Sequence, residues 1–419
     1  LDSFPDQLSE DYARHGYAPH NGAGHDPVDA TRLDALNQPI CETVEHGAAP
    51  RASGQLRFGV IGYGYWGPQL ARNLARLPMG RVTHIADRAP ERRWEAHREH
   101  PSSCVTTSID EVLASDVEAL VIATPILTHY PLARVALEHG KHVLVEKPLA
   151  DSVAHAEDLA ALARERGLVL MVGHTYMYSP AVEELRRLVQ SGALGRVYYV
   201  DSIRANLGIF QKDVNVVWDL APHDISILNY IFGATPLRVS AHGGAYVQRE
   251  VIDVAQLTLH YPNGMLAFLH VSWLSPSKIR RFTLVGDRQM VVYDDVETID
   301  KIRVYNRGID VPDHTSTFGE FQLSYRYGDI VSPFLNWHEP LGVECERFAE
   351  AILRGGVPRS DANDGLRVVR VLEAADSSMG SAGACIDIPQ PGFHEHHSVA
   401  APASLQPVTA QPLRAKADR

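Results

Sequence analysis

The stretch LRFGVIGYGYWGPQLARNLARL, Leu56 to Leu77, restricts the fold of this chain more than any other. Phe58 to Ile61 read as an apolar strand, a glycine loop follows, and Leu70, Leu74 and Leu77 share one face of the helix after it. Gly62, Gly64 and Gly67 fit the pattern GxGxxG, with Tyr65 and Trp66 in the same loop. The first glycine of that pattern allows a tight turn, the second lets backbone approach a pyrophosphate, and the third lets helix pack on strand. The anion then meets the helix N-terminus. Asp87 closes the next strand, RVTHIAD, 20 residues beyond Gly67, where a carboxylate accepts from ribose hydroxyls and repels a 2′-phosphate. The expected cofactor is therefore NAD, with NADP less favoured. Arg88, Arg92 and Arg93 leave an alternative open: one of them could hold a 2′-phosphate, or they form a solvated helix start.

Strand and helix patterns keep alternating through EALVIATP, PLARVALEHG, KHVLVEKP, SVAHAEDLAALARERG and LVLMVG, which implies a parallel, doubly wound sheet. Ligands of such sheets bind beyond the carboxyl ends of the strands. Thr124, Pro125, His129, Glu146 and Lys147 fall at those ends and are expected to line one crevice.

From about residue 174 the pattern changes. RVYYVDSIR, VAQLTLHY, MLAFLHVSW, RFTLVG, MVVYDD and KIRVYN read as hairpin strands, with Asn263-Gly264 as a type I′ turn signal and GDRQ joining another pair. Polar residues at every second position, such as Gln256, Thr258 and His260, indicate a sheet with one face outside its own core. Solvent, ligand or a second subunit must cover that face. The helices GVECERFAEAILRG and DGLRVVRVLEAADSSM end the folded part and could pack back on the first domain. The fold class is thus α/β: an N-terminal doubly wound parallel sheet over 54–173, then an α+β domain over 174–389 with a large, mainly antiparallel, open-faced sheet.

Over 419 residues, 45% apolar and 21% charged is the composition of an ordinary soluble protein of about two domains. Residues 1–53 read as a disordered or arm-like extension, since the first 50 carry −7 of the net charge of −12 and little periodicity. Residues 390–419 read as a flexible tail, in which the HEHH cluster has no metal role. Net acidity argues against nucleic acid as a partner. No apolar run reaches a membrane span and the first residues lack the order of a signal peptide. Cys41, Cys104, Cys345 and Cys385 form no CxxC pair, which argues against a disulfide framework or a zinc site and fits a cytoplasmic protein.

The segment WDLAPHD, Trp218 to Asp224, puts unusual charge at the start of an apolar helix, ISILNYIFG. Proline is tolerated only in the first helical turn, so Pro222 sets the expected helix start at about Asp219 or Leu220. Asp219 and His223 then share one face, as a base with its orienting partner, or as an N-cap with a satisfied first-turn residue.

Taken in order, GYGYWG, ATPILTH, EKP, GHTYMYSP and WDLAPHD resemble the glucose-fructose oxidoreductase, inositol dehydrogenase and MocA family from about Leu56 to Met379. The resemblance implies a Rossmann domain joined to an open-faced sheet domain, with pairing of that face into homodimers or homotetramers. It implies catalytic roles for Lys147, Asp219 and His223. For oxidation of a secondary alcohol, His223 is expected to be the base and Lys147 to hydrogen-bond the reacting oxygen, with those two roles exchangeable. Asp219 would orient His223 or bind a neighbouring hydroxyl. The residues around WDLAPHD are similar to members acting at C3 of nucleotide-linked amino sugars, with Tyr176, Arg204 and Asn215 as expected substrate contacts. Arg204 could instead be a strand-edge charge and Asn215 a turn residue. Free-sugar or inositol dehydrogenases, deoxysugar ketoreductases, NAD-dependent glycosidases and a non-catalytic NAD-sensing regulator are the alternatives.

Overall fold

Phe58, Val60 and Ile61 are almost wholly buried, as a strand covered on both faces must be. They belong to β1 (Leu56–Ile61), the centre of a six-stranded sheet in a computed structural model that describes residues 55–208, 210–211, 213–310 and 324–390. The extension 1–53 and the tail beyond Gln390, with its HEHH cluster, lie outside the described residues. The other strands are β2 (Gly80–Ala86), β3 (Cys104–Thr106), β4 (Ala119–Ile122), β5 (His142–Glu146) and β6 (Leu170–Gly173), in the order β3-β2-β1-β4-β5-β6. Every pairing is parallel. The chain reverses its direction of winding between β1 and β4, so the crevice opens at the carboxyl ends of these two strands.

Alternate strand residues feed two cores. Ile61, Leu120, Ile122, Val143 and Val145 pack on one side with Ala133, Ala136 and Leu159. Phe58, Val60, Ala119, Val121 and Leu144 pack on the other with Leu70, Leu74 and Phe348. Leu70 and Leu74 come from α1 (Gly67–Arg76), and Ala133 and Ala136 from α4 (His129–Glu138). Leu159 belongs to α5 (Val153–Arg166). Between them stand α2 (Pro90–Glu99) and α3 (Ile109–Ala114). Each buried leucine stabilises this arrangement by about 1.5–3 kcal/mol relative to an exposed one.

After α6 (Pro180–Gln190) and β7 (Val197–Ala205) comes α7 (Val216–Phe232), then strands β8 (Arg238–Gly244), β9 (Val254–His260), β10 (Leu266–Ser272), β11 (Ile279–Gly286), β12 (Met290–Asp294), β13 (Ile302–Asp310) and β14 (Ser324–Val331). The described chain closes with α8 (Pro340–Arg354), α9 (Ala362–Gly380) and β15 (Ile386–Asp387). The second sheet has nine strands, ordered β14-β13-β12-β11-β7-β10-β9-β8-β15. Its central pair, β7 and β10, is parallel, so it is mixed rather than a run of hairpins. Asn263 and Gly264 both have positive φ (66° and 76°), as the type I′ turn between β9 and β10 requires. The inward face, including Val200, Leu257, Leu269 and Leu284, is fully buried. Phe348 of α8 meets Phe58 at 6.1 Å between ring centroids, so that helix does pack on the first sheet.

α7 begins earlier than expected. Asn215 is its N-cap, accepting from the N–H groups of Val217 (2.9 Å) and Trp218 (3.2 Å), and Pro222 stands inside the helix. Asp219 is therefore a first-turn residue and not the cap. The cap and the αL residue Gly233 at the other end hold 17 residues against the cost of one proline. One cysteine expectation is corrected: Cys104 is disulfide-bonded, so the lack of a CxxC pair did not exclude a disulfide. Among the described residues, no helix is long and apolar enough to cross a membrane.

Candidate active site

The glycine loop is shaped by its neighbours. Gly62 has φ +89°, and a Cβ there would meet the Ala123 carbonyl at 2.5 Å. A Cβ on Gly67 would meet the Gly62 carbonyl at 2.1 Å, whereas one on Gly64 would meet nothing within 4 Å. The loop thus turns tightly against β4, seats α1 closely, and keeps an open face at Gly64 for a pyrophosphate at the N-terminus of α1. Asp87 braces this loop: its carboxylate accepts from the N–H of Tyr63 (2.6 Å) and of Ala89 (2.8 Å). Tyr65 and Trp66 are exposed on the loop with their rings edge to face at 5.3 Å. Arg93 is buried and donates to the carbonyls of Asp87 (3.1 Å) and Arg88 (2.7 Å), which rules out a solvated helix start for it and removes it as a phosphate ligand. Arg92 pairs with Glu95, and Arg88 is exposed beside Asp87. These residues fit a bound dinucleotide.

Thr124 and Pro125 follow β4 at the crevice, where Thr128 donates to the Thr124 hydroxyl (2.7 Å). His129 is buried, its Nδ1 2.8 Å from the Pro148 carbonyl and its Nε2 2.9 Å from that of Thr124. It ties two crevice loops together from behind, so its expected cofactor contact is corrected to a clamp. Glu146 is likewise turned inward.

Lys147, one residue past β5, crosses to α7. Its Nζ donates to the Asp219 carbonyl (2.6 Å) and to Asp219 Oδ1 (3.2 Å), with only 12% of the lysine side chain exposed. Pro222 has no N–H to give the carbonyl of Trp218, which leaves this turn of α7 one ladder bond short where the lysine arrives. Asp219 Oδ2 accepts from Trp273 Nε1 (2.9 Å), a residue just beyond β10. Asp219 therefore orients Lys147 and not His223. His223 lies one turn on, edge to face with Tyr176 at 5.1 Å, and its Nδ1 has no partner among the described residues. Burial first, then Lys147, Arg204 and Arg280, hold its imidazole well below the usual range, so it is neutral. The Tyr176 hydroxyl accepts from Arg280 (2.8 Å) and reaches Asp295 (3.3 Å).

Two expected substrate contacts are spoken for. Arg204 is buried and gives Nε (2.7 Å) and Nη2 (2.6 Å) to Oδ1 of Asp224, whose Oδ2 accepts from Ser202 (2.8 Å). A guanidinium so paired, lying 4.7 Å from the Tyr176 ring centroid, supports the site wall and has no face for a phosphate. Asn215 caps α7 and donates Nδ2 to Asp376 (2.9 Å). Trp273, Arg280 and Asp295 went unnoticed in the sequence because no motif marks them, and Asp224 was seen only as the end of WDLAPHD, without its partner Arg204.

Residues 56–174 match the profile of the GFO/IDH/MocA oxidoreductase family with its NAD-binding Rossmann fold, and residues 182–292 match the GFO/IDH/MocA C-terminal domain. The chain belongs to this family. It is 32% identical over 256 residues to UDP-N-acetylglucosamine 3-dehydrogenase of Acidithiobacillus ferrooxidans, covering 60% of this chain and 78% of that one. It is 24% identical over 348 residues to the NADP(+) scyllo-inositol 2-dehydrogenase IolW of Bacillus subtilis, covering 77% and 93%. Among solved structures, GenD2 from gentamicin A biosynthesis, in complex with NAD, superposes with a TM-score of 0.68 at 26% identity, covering 82% of this chain and all of GenD2.

Proposed function

We propose that this member of the family uses NAD to interconvert a secondary alcohol and a ketone of a sugar, at C3 of a nucleotide-linked amino sugar. The observation that carries the reading is the clamp of Lys147 on Asp219, with His223 one turn away, at the carboxyl edge of the parallel sheet. Gly62, Gly64 and Gly67 would cradle the pyrophosphate, Asp87 the ribose, and Thr124 and Pro125 the edge of the crevice. When bound, the nicotinamide supplies the acceptor for the substrate hydride. Asp87, with one oxygen on each of two backbone N–H groups, is held in place beside the expected ribose position, which favours NAD.

Of the two exchangeable assignments of His223 and Lys147, the surroundings favour Lys147 as the base and His223 as the donor to the reacting oxygen. Two cationic neighbours besides Lys147 oppose a proton on His223, whereas Lys147 Nζ lies 3.2 Å from Asp219 Oδ1. In oxidation Lys147, as the amine, takes the hydroxyl proton, and the resulting ammonium rests on Asp219. Neutral His223 hydrogen-bonds the reacting oxygen, and Tyr176 closes the wall beside it. The likeness to the Acidithiobacillus enzyme supports the nucleotide-sugar assignment. Tyr199, Ile203 and Phe268, standing among polar residues such as Asp201, Thr258 and His270 on the outer face of the second sheet, support a homodimer or homotetramer.

The deciding assay incubates the protein with UDP-linked amino sugars, free hexoses or inositols, with NAD or NADP, and follows nicotinamide absorbance. Turnover of a nucleotide sugar with NAD is expected. Tenfold tighter binding of NADP, about 1.4 kcal/mol, would hand cofactor choice to Arg88. Turnover of inositol or free hexose alone would replace the substrate.

A further inference from the structure

The segment 332–339, between β14 and α8, carries a tryptophan that the reaction above does not use. Three contacts fix the segment. Ser332 Oγ lies 3.0 Å from the Ile302 carbonyl oxygen, and Leu335 packs against the larger core. Glu339 accepts from Arg72 and from Asn73 (3.2 Å), both on α1. Trp337, two residues before that bond, stands where the second sheet meets α1. One face of its ring is taken, since Lys301 Nζ lies over it, 5.1 Å from the ring centroid. The residue is nevertheless 52% exposed. Exposure alone is ordinary for a tryptophan. An indole held on one face by a cation and open elsewhere is a stacking surface.

A series of contacts links this indole to the reacting end of the crevice. Lys301 Nζ donates to the Asp295 carbonyl (2.7 Å). The Asp295 carboxylate accepts from the hydroxyls of Tyr293 (3.1 Å) and Tyr176 (3.3 Å) and lies 3.5 Å from Arg280 Nη1. Tyr176 in turn meets His223 edge to face. Two cations, Arg280 and Lys301, therefore share one carboxylate between Trp337 and His223. Both side chains are mostly buried, so their surplus positive charge is less screened than that of surface residues. With Arg204 closed off by Asp224, they are the pair this wall offers to a phosphate.

We propose that Trp337 is the nucleobase platform of this site and that Arg280 and Lys301 hold the diphosphate, so that the sugar is carried on a nucleoside diphosphate. This rests on the nucleotide-sugar reading above. The chemistry follows the order of such a ligand: carbinol at Lys147 and His223, diphosphate along Arg280 and Lys301, base on the open face of Trp337. Every base has a face to stack, so the platform is tolerant of base identity. A free hexose or an inositol carries neither anion nor base and gains nothing from these residues.

The test uses the full-length protein with NAD saturating, so that the dinucleotide cradle is filled, and UDP as the probe. UDP should quench the tryptophan emission of the wild type, and the quench should be lost in Trp337→Phe. In calorimetry, Trp337→Ala should weaken UDP by roughly 5- to 150-fold, the range for loss of one stacked base. Trp337→Phe, which keeps a ring, should recover most of that affinity. Inorganic pyrophosphate should compete with UDP, and less well in Lys301→Met. With a UDP sugar as substrate, Trp337→Ala should raise KM at unchanged kcat, as for a contact kept from ground state to transition state. Equal UDP affinity in wild type and Trp337→Ala would overturn the proposal, as would a wild type that does not bind UDP. Competition by pyrophosphate undiminished in Lys301→Met would overturn the diphosphate assignment. Should Trp337→Ala fail to fold, the quench still decides, since it must be present in the wild type and absent from Trp337→Phe. UDP binding that depends on Trp337, without turnover of any UDP sugar, would keep the platform and remove the proposed reaction. Turnover of a UDP sugar with a KM unmoved by Trp337→Ala would keep the reaction and remove the platform.

Discussion

Lys147 spends its charge on two oxygens of a single residue, and that makes its contribution separable from cofactor binding. Lys147→Met should leave NAD affinity near its starting value while turnover falls by ~10²–10⁴-fold, as for loss of a general base. His223→Ala should cost about 10²-fold, as for loss of one donor to the reacting oxygen. Single-turnover kinetics should show the double variant losing less than the product, because both act on one oxygen. Wild-type turnover in either single variant would remove that residue from the site. The three loop glycines, Asp87, Lys147, Asp219 and His223 were legible in the sequence because each lies in a short motif whose local backbone fixes its place. Arg204 and Asn215 were misread for the opposite reason. Their partners, Asp224 and Asp376, lie 20 and 161 residues away, and only folding brings them together.

α7 shows what a positional rule can and cannot do. Proline in a first turn is a preference, and here the Asn215 cap, the Gly233 terminus and burial of Val216, Val217, Ile225 and Ile231 outweigh it. Moving the cap from Asp219 to Asn215 turns Asp219 from a cap into the partner of Lys147. Asn215→Ala should therefore cost about 1 kcal/mol for the cap, and somewhat more because Asp376 loses a donor. Urea denaturation should read it as a lower midpoint with an unchanged slope. No change in midpoint would mean that the cap is dispensable. The β-region was legible strand by strand wherever alternation was strong. β8 and β14 were not, since glycines end the first and most of the second is exposed.

At the scale of the whole molecule, the outer face of the nine-stranded sheet carries Tyr199, Ile203, Phe268, Thr283 and Val292 over its central strands, with Tyr199 and Phe268 6.2 Å apart at their ring centroids. Alternation made this face visible in the sequence, although not the parallel pairing at its centre. It should pair with a second copy: light scattering is expected to give at least a dimer, and Phe268→Asp to shift it toward monomer. A wild-type monomer that is active at every concentration would remove this interface. The crevice joins parts of different provenance. Everything that would hold the dinucleotide comes from residues before 130, while Trp273 and Arg280 reach the site from strands of the other sheet. Lys147 reaches across from the first sheet to α7 through its two bonds to Asp219. Strands β11 and β12 can then be rewritten by drift without disturbing the cradle, so descendants of such a chain are free to exchange one sugar for another while inheriting the same redox engine intact.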